Sequence, residues 1–538
     1  MSVIRSRIDT TSDDFRKNRE EMLVLIREFR EIEKGIRETE ERSRPKFEKR
    51  GQLLPRERLA LLLDRGAPFL ELSTLAGYRM YEDKDGKSAG GGLICGIGYV
   101  SGTRCMVLCH NSAIKGGAIS PAGLKKTLRA QQIAMENRLP MVFLVESAGA
   151  NLEYQAEVFV EGGRVFANQA RISAMGLPQI TVVHGSSTAG GAYLPGLSDY
   201  VVMVKGKAKV FLAGPPLLKA ATGEIATDEE LGGAEMHAKI SGSADYLAED
   251  DREGIILARR IVASLGWNEE KPEIKTEKPM EPRYDAEELL GIVPVNFKVP
   301  YDVREVIARI VDDSWFLEFK PEYDRYTICG HVRINGIACG ILGNNGPITE
   351  KGSVKAAQFI QLCCQSNTPI IYLQNTTGYM VGTAAEQGGI IKHGSKMIQA
   401  VANATVPQIT VIIGGSFGAG NYGMCGRALD PRFIFAWPNS RIGVMGGEQA
   451  AKVMSIITKA KLARQGVEAD PKMLEAMEKH IIERMEKETT ALYATARLWD
   501  DGIIDPRDTR RVLSFVLSVC LEGDARKLHP NTFGVARM

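Results

Sequence analysis

The chain repeats itself. Residues 140–193 and 369–422 align without a gap at a constant offset of 229, and 14 of the 54 paired positions are identical. Unrelated windows of ordinary composition would share roughly 3. The identities include Pro140/Pro369, Gly149/Gly378, the run PQITV at 178–182 and 407–411, Gly185/Gly414, Gly191/Gly420 and Tyr193/Tyr422. Two halves must therefore share one architecture, and each carries a strand that runs into a Gly-rich turn.

Short apolar runs at 105–109, 140–145, 178–183 and 201–204 read as buried strands, with amphipathic helical stretches at 121–137 and 164–175 between them. The second half repeats the pattern at 338–342, 369–374, 407–413 and 432–437. Such alternation predicts parallel strands with helical crossovers, an α/β fold in each half. A chain of 538 residues is too long for one core, and the repeat argues for two large domains. The Pro- and Glu-rich stretch at 266–290 reads as the connection. The expected limits are 1–270 for the N-terminal domain, 271–295 for the linker and 296–538 for the C-terminal domain. Residues 13–43 predict an exposed helix with one apolar stripe at Met22, Leu23, Leu25, Ile26 and Phe29. Residues 450–500 predict an appended helical hairpin.

Composition excludes several classes. A net charge of +2 gives no reason to expect nucleic acid or an anionic membrane as partner. No apolar run reaches the ~18 residues that span a bilayer. The start lacks the apolar core of a secretory signal and carries early acidic residues, and nine scattered cysteines fit a reducing cytosol. No set of His and Cys has metal-ligand spacing, so no metal is expected.

The turns AGGAY at 189–193 and GAGNY at 418–422 follow strands and open helices. That arrangement points bare N–H groups at one spot, where they can hold an anion or a developing oxyanion. One such turn could merely permit tight packing; two at the same repeat position favour a functional pair. GGSFG at 414–418 also matches the serine-hydrolase elbow G-x-S-x-G, but only His480 and His529 follow it. No phosphate-binding G-x-x-x-x-G-K-[ST] is present, and GGG at 90–92 lacks dinucleotide-site spacing. Side chains thus offer no evident nucleophile or base. Two oxyanion sites and little else suit enolate chemistry in which a cofactor takes the proton.

The strings QLLPRERLALLLD, IKGGAISP (114–121), SAGANL (147–152), NQARISAMGLPQI (168–180), TAGGAYLP (188–195), FLAGPPLLKAATGE (211–224), GILGNNG (340–346), GSFGAGNYGMCGRA (415–428) and MGGEQAA (445–451) carry a resemblance across nearly the whole chain. The chain resembles the carboxyltransferase β subunits of biotin-dependent acyl-CoA carboxylases, on the branch that acts on methylcrotonyl-CoA and geranyl-CoA. The resemblance implies two tandem domains of the crotonase type, the first for the CoA ester and the second for biotin. It implies that the amides of Gly190 and Gly191 steady a thioester enolate, and those of Ala419 and Gly420 the ureido oxyanion. Lys115, Gly116, Gly117 and Ala118 would form the CoA-side loop, with Gly149, Ala150 and the stretch Gly343, Asn344, Asn345 and Gly346 also on the substrate side. Gly378, Tyr379, Phe417 and Gly418 would join the biotin site. The chain has no biotinyl-lysine motif and no recognisable nucleotide-binding half. The resemblance therefore implies a partner α subunit that carries biotin and uses ATP and bicarbonate. It further implies a β hexamer within an α6β6 complex, and active sites at dimer interfaces.

One departure bears on substrate. Where methylcrotonyl-type enzymes read H-F-G-R-I-F-Y-N-Q, this chain has Glu161-Gly162-Gly163-Arg164-Val165-Phe166-Ala167-Asn168-Gln169. Gly162 replaces a Phe and Ala167 a Tyr. Removing rings from an acyl pocket opens room for a longer chain, which favours geranyl-CoA over methylcrotonyl-CoA. The alternative of another class is a crotonase-type hydratase or thioesterase acting alone.

Overall fold

The structure is a computed structural model, and it describes residues 3–532 and 534–535. The chain forms two compact lobes. The first comprises Arg30–Ile274, Ala496–Leu498 and Val519–Met538; the second comprises Met1–Phe29, Lys275–Thr495 and Trp499–Ser518.

The first lobe is built on strands β1 (Leu70–Leu72), β2 (Leu93–Val100), β3 (Thr103–His110), β4 (Met141–Ser147), β5 (Gln179–Thr188), β6 (Tyr200–Val204), β7 (Lys209–Phe211) and β8 (Tyr246–Ala248). Their order is β1-β2-β3-β4-β5-β6-β8, with β7 beside the end of β5. From β3 onward neighbours run parallel, whereas β1, β2 and β3 are antiparallel. Helix Pro121–Glu136 crosses from β3 to β4 and helix Gln155–Ala174 from β4 to β5. Val107, Cys109, Val142, Leu144, Ile180, Val182, Val202 and Val204 fill one face of the sheet, against Leu59, Leu62 and helix Asp251–Ser264.

The second lobe repeats the plan with β9 (Leu317–Glu318), β10 (Thr327–Ile334), β11 (Ile337–Asn344), β12 (Ile370–Thr376), β13 (Gln408–Phe417), β14 (Phe433–Ala436) and β15 (Arg441–Gly443), ordered β14-β13-β12-β11-β10-β9 with β15 beside β13. The 229-residue offset carries through to detail. The register slips between Val145 and Ser147 in β4, and between Gln374 and Thr376 in β12. Past those slips lie isolated bridges, Ile119 to Ala150 and Ile348 to Tyr379, again 229 apart.

Helix Asp13–Glu41 buries Phe15, Met22, Ile26, Phe29 and Ile36, and helices Gly447–Arg464 and Pro471–Glu488 form the expected hairpin. The expected contiguous limits are interleaved at both ends. Residues up to 29 pack in the second lobe, because Phe15 seats on Gly291 and Ser6 bonds Glu305 at 2.6 Å. The tail after 518 packs in the first lobe, where the Arg526 guanidinium lies 4.5 Å over the Trp267 ring and bonds its carbonyl at 2.7 Å. The stretch expected as a linker is largely exposed over 271–287 and packs only at its end, where Leu289, Leu290 and Val293 are buried in the second lobe. Among the described residues, no helix is long and apolar enough to cross a membrane.

Candidate active site

Parallel strands leave their carboxyl ends open for a ligand, and the sequence puts its Gly-rich segments at those ends. In the first lobe β5 runs into a tight turn, Ala189–Ala192, followed directly by helix Tyr193–Gly196. Ala189 turns the chain with φ 53. Gly190 and Gly191 follow, where amides have no carbonyl of a preceding turn to bond. Gly190 is exposed and Gly191 half-buried. Ser187 Oγ donates to the Gly191 carbonyl at 2.8 Å, fixing the turn from below.

The neighbouring strand β4 ends in Ser147, which pairs with Ser187. Its Oγ donates to Gly117 O at 2.8 Å and accepts from Gly149 N at 3.0 Å. One hydroxyl thus ties the Lys115–Ala118 loop to the Gly149–Ala150 segment. Main-chain bonds complete the join, Ala148 N to Gly116 O at 3.0 Å and Ile119 N to Gly149 O at 2.9 Å. Gly117 is required by contact: a Cβ there would stand 2.6 Å from Glu146 O. Lys115, Gly116, Gly117, Ala118, Gly149, Ala150, Gly190 and Gly191 therefore share one end of one sheet.

Beneath that end lies a buried ionic network. Glu146 accepts from Arg58 at 2.6 Å, Ser112 at 2.8 Å and Gln52 at 3.3 Å. Arg58 reaches on to Asp251 at 3.0 Å, and Asp251 pairs with His184 Nδ1 at 2.7 Å. Burial alone would raise the Asp251 carboxyl; the bond to His184 and the Arg58 charge outweigh it and bring it down to about 2. Burial and then the Arg58 charge push the His184 imidazole down. Gln52 and Arg58 lie in the string QLLPRERLALLLD, but nothing local marks the network itself, since its ionic partners lie 67 to 193 positions apart.

Helix Gln155–Ala174 forms a wall beside the turn. The Phe166 ring lies 5.6 Å from Tyr193 and would be 4.0 Å from a Cβ on Gly190. Neither aromatic was singled out from sequence; the signal was Phe166 four positions after Gly162, one helical turn along the same face. At Gly162 a Cβ would meet nothing within 4 Å. Five residues of helix turn through about 140° beyond one revolution, so Gly162 and Ala167 do not share a face. Of the two, Gly162 is the one on the Phe166 face.

In the second lobe β13 runs into helix Gly418–Gly423. Gly418 takes the left-handed conformation (φ 55) at the position equivalent to Ala189, and Ala419 is exposed. Here packing is tight. A Cβ on Gly420 would stand 2.9 Å from Gly378 Cα and 3.0 Å from Thr376 Cγ2. Gly378 has φ 122, and its amide donates to Thr376 Oγ1 at 3.2 Å. Tyr379 packs inward on Gly394 and Gly423, its hydroxyl donating to Gly394 O at 3.3 Å, and burial pushes its phenol up. It is a strut for the turn. The Phe417 ring lies 4.9 Å from that of Phe297, tilted by 45°, and borders a cleft of about 650 Å³ with Thr377, Arg441 and Thr489.

Two expectations are sorted by these contacts. Ser416 is no nucleophile: it is fully buried, its Oγ donates to Gln374 at 2.5 Å and accepts from Asn421 at 2.8 Å. The stretch Gly343–Gly346 lies in the second lobe, at the end of β11, away from the other substrate-side residues in sequence and lobe. Asn344 is buried and bonds Asn375 N at 3.3 Å; Asn345 accepts from Val303 N at 2.7 Å and donates to Asp302 at 3.0 Å. Gly343 and Gly346 fit close against Val303 and Tyr326. All four have packing uses.

Two lobes of one crotonase-like plan each run a central strand into a Gly-rich turn. Comparison with known proteins agrees. Residues 46–535 match the carboxyl transferase domain. The chain is 48% identical over 556 residues to the probable methylcrotonoyl-CoA carboxylase beta chain, mitochondrial, of Drosophila melanogaster, covering all of this chain and 95% of that one. It is 52% identical over 491 residues to the probable biotin-dependent acyl-coenzyme A carboxylase beta2 subunit of Mycobacterium tuberculosis, covering 91% of each. The crystal structure of the P. aeruginosa geranyl-CoA carboxylase beta subunit is 63% identical and superposes with a TM-score of 0.93 over the whole of both chains. The chain belongs to the carboxyl transferase domain family, as a β subunit of the biotin-dependent acyl-CoA carboxylases.

Proposed function

We propose that the chain carboxylates the γ carbon of a branched enoyl-CoA, with geranyl-CoA as its preferred ester, in a complex whose α subunit carries biotin and consumes ATP and bicarbonate. The observation that carries the choice of ester is the open wall at Gly162, one turn before the Phe166 ring that lies at the oxyanion turn. The likeness to the P. aeruginosa geranyl-CoA carboxylase beta subunit supports it.

The first lobe holds the thioester. Gly190 and Gly191 N–H groups accept the charge that gathers on its oxygen as the γ proton leaves, because charge spreads from the γ carbon through the conjugated double bond. Oriented amides stabilise such charge without reorganising. The second lobe suits a ureido ring: Gly378 and Gly420 meet with no side chain between, so a flat group can approach the Ala419 and Gly420 amides. Biotin, when bound there in its carboxylated form, supplies the CO2 and the proton acceptor, consistent with two turns free of His or carboxylate.

Each lobe carries apolar side chains that face solvent at matching repeat positions. Leu152 and Val381 are 79% and 80% exposed, and Tyr193 and Tyr422 are 48% and 47% exposed. Leu212 and Val444, each directly after the strand beside its turn, are exposed as well. Recurrent exposed apolar residues mark an interaction surface. They support assembly of copies in which the first lobe of one faces the second lobe of another, within a β hexamer and an α6β6 complex.

The test is reconstitution with the biotin-carrying subunit and measurement of kcat/KM for geranyl- and methylcrotonyl-CoA. The expected result is preference for geranyl-CoA, lost in Gly162→Phe by about 10- to 100-fold while methylcrotonyl-CoA is spared. Equal losses on both esters would remove the pocket argument. Turnover of either ester by the isolated chain without ATP and bicarbonate would point instead to a hydratase or thioesterase.

A further inference from the structure

The two lobes differ in one connection. Met106 pairs with Met141 in the first sheet, and Gly340 with Ile370 at the same place in the second. From those pairs the chain takes 13 residues to reach the bridge at Ile119, but only 8 to reach its counterpart at Ile348. The helices that follow start in step again, capped by Ser120 and Thr349. Five extra residues are therefore confined to the first lobe, between the end of β3 and Ile119. That stretch includes Lys115, Gly116 and Gly117, three successive residues in the left-handed conformation (φ 47, 65 and 69). Such a run is strained at Lys115 and persists only where surrounding contacts fix it.

Two buried carboxylates supply contacts of that kind. Asn111 Nδ2 donates to Glu40 Oε1 at 2.7 Å, and Ser112 Oγ donates to Glu146 Oε2 at 2.8 Å. Each carboxylate is held in turn by an arginine of helix Pro55–Leu62. Arg56 Nε donates to Glu40 Oε2 at 2.7 Å, and Arg58 Nη1 donates to Glu146 Oε2 at 2.6 Å. Two residues apart on a helix, these arginines leave it on different sides, so each reaches its own carboxylate. A guanidinium partner is what makes a buried carboxylate tolerable, and its charge-assisted bonds fix the geometry. At the position of Glu146 the second lobe has a neutral side chain, Asn375, which accepts from Gly415 N at 3.2 Å. The longer loop and its charged anchor at Glu146 thus occur together, in the same lobe.

We propose that Glu40 and Glu146 are positioning residues for the ester: backed by Arg56 and Arg58, they hold the longer loop through Asn111 and Ser112 and preset Lys115–Ala118 before the ester arrives. This rests on the reading of the first lobe as the CoA-ester lobe. Ser147 fastens the far end of the loop to β4 through the Gly117 carbonyl. Glu146, its chain neighbour, fastens the near end. A loop fixed at both ends has little freedom left to lose on binding, which favours affinity. Both carboxylates act through the loop and not on the reacting oxygen, so they set KM and leave kcat alone.

The experiment uses N111A/S112A, which removes the loop end of both contacts and leaves the two carboxylate–arginine pairs in place. Calorimetry on the full-length chain, with CoA as the probe, should show binding weakened about tenfold, the scale of two lost hydrogen bonds. In the reconstituted complex KM for geranyl-CoA should rise by the same factor while kcat stays within about twofold. Amide hydrogen exchange over residues 113–118 should quicken. Ser112→Thr, which keeps the hydroxyl, should bind CoA within about twofold of the wild type. Wild-type affinity and KM in the double variant would overturn the proposal. So would a lowered melting temperature at unchanged KM, the mark of a merely structural contact, or a fall in kcat at unchanged KM. If the double variant does not fold, Ser112→Ala alone decides: about threefold weaker CoA binding supports the proposal, and unchanged binding overturns it. A wild-type chain that binds no CoA would overturn the CoA-lobe reading itself, a result seen before any variant is compared.

Discussion

The two turns have the same plan and opposite tolerances. At Gly191 a Cβ would make an ordinary 3.6 Å contact with Ser187 Oγ, and at Gly190 the nearest atom is Phe166 Cζ at 4.0 Å. At the equivalent Gly420 a Cβ would press on the main chain of Gly378 at 2.9 Å. One turn is loose and walled by a helix face opened at Gly162, and the other is clamped between main-chain segments. The difference fits the division of labour proposed above. A site for one invariant ring gains from a rigid cradle, whereas a site for acyl groups needs a wall that can be recut.

The largest expected effect falls on the clamped side. Gly420→Ala should lower kcat of the reconstituted complex by about 100-fold or more, the scale of losing an oxyanion donor, whereas Gly191→Ala should cost less than about tenfold. Equal losses would break the contrast. Next, Gly162 and Ile391 occupy equivalent repeat positions, and Ile391 is exposed. Gly162→Phe should change the ratio of kcat/KM between the two esters about 10- to 100-fold, and Ile391→Gly by less than about twofold.

Buried acids separate the lobes in a third way. Asp251 titrates at about 2 when folded, against an ordinary value near 4. Its stabilisation is present above pH ~4 and is lost as pH falls toward 2, so Asp251→Asn should cost about 2–3 kcal/mol at pH 7 and little at pH 2. Denaturant titrations at the two pH values check this. Asp500, in the second lobe, behaves in the opposite sense. Burial outweighs its bonds from Thr495 at 2.7 Å and Gly502 N at 2.9 Å and raises it to about 7. The folded state then binds the extra proton between pH ~4 and 7, and stability declines across that window. Asp500→Asn should flatten the decline and gain about 1 kcal/mol at pH 8, since the Thr495 and Gly502 bonds can persist. A melting temperature unchanged by the substitution at pH 8 would count against it.

Most of the architecture was legible because a duplicated pattern is read twice. All eight apolar runs became strands, and the 229-residue offset reached even the register slips at Val145/Ser147 and Gln374/Thr376. What escaped was the antiparallel edge of each sheet. The connections Ser101–Gly102 (φ 49 and 77) and Asn335–Gly336 (φ 53 and 78) are tight hairpins with left-handed residues, and Asn-Gly is the strongest short hairpin signal. The parallel alternation drew attention away from it. The Gly-rich turns at the ends of β5 and β13 were legible because a tight turn leaves a glycine trace. Arg58, Glu146, Asp251 and His184 were not, because an ionic network assembled from distant segments leaves no periodic mark. The interleaved termini were hidden for the same reason: nothing local says that Phe15 seats on Gly291.

The most direct measurement of the central claim is transfer of labelled carboxyl from a pre-carboxylated, ATP-free α subunit to geranyl-CoA in a single turnover. Wild-type chain should transfer the label to the γ carbon, and Gly420→Ala should leave it on the α subunit over the same interval. Transfer at the wild-type rate by Gly420→Ala, or no transfer by the wild type to any branched enoyl-CoA, would contradict the account.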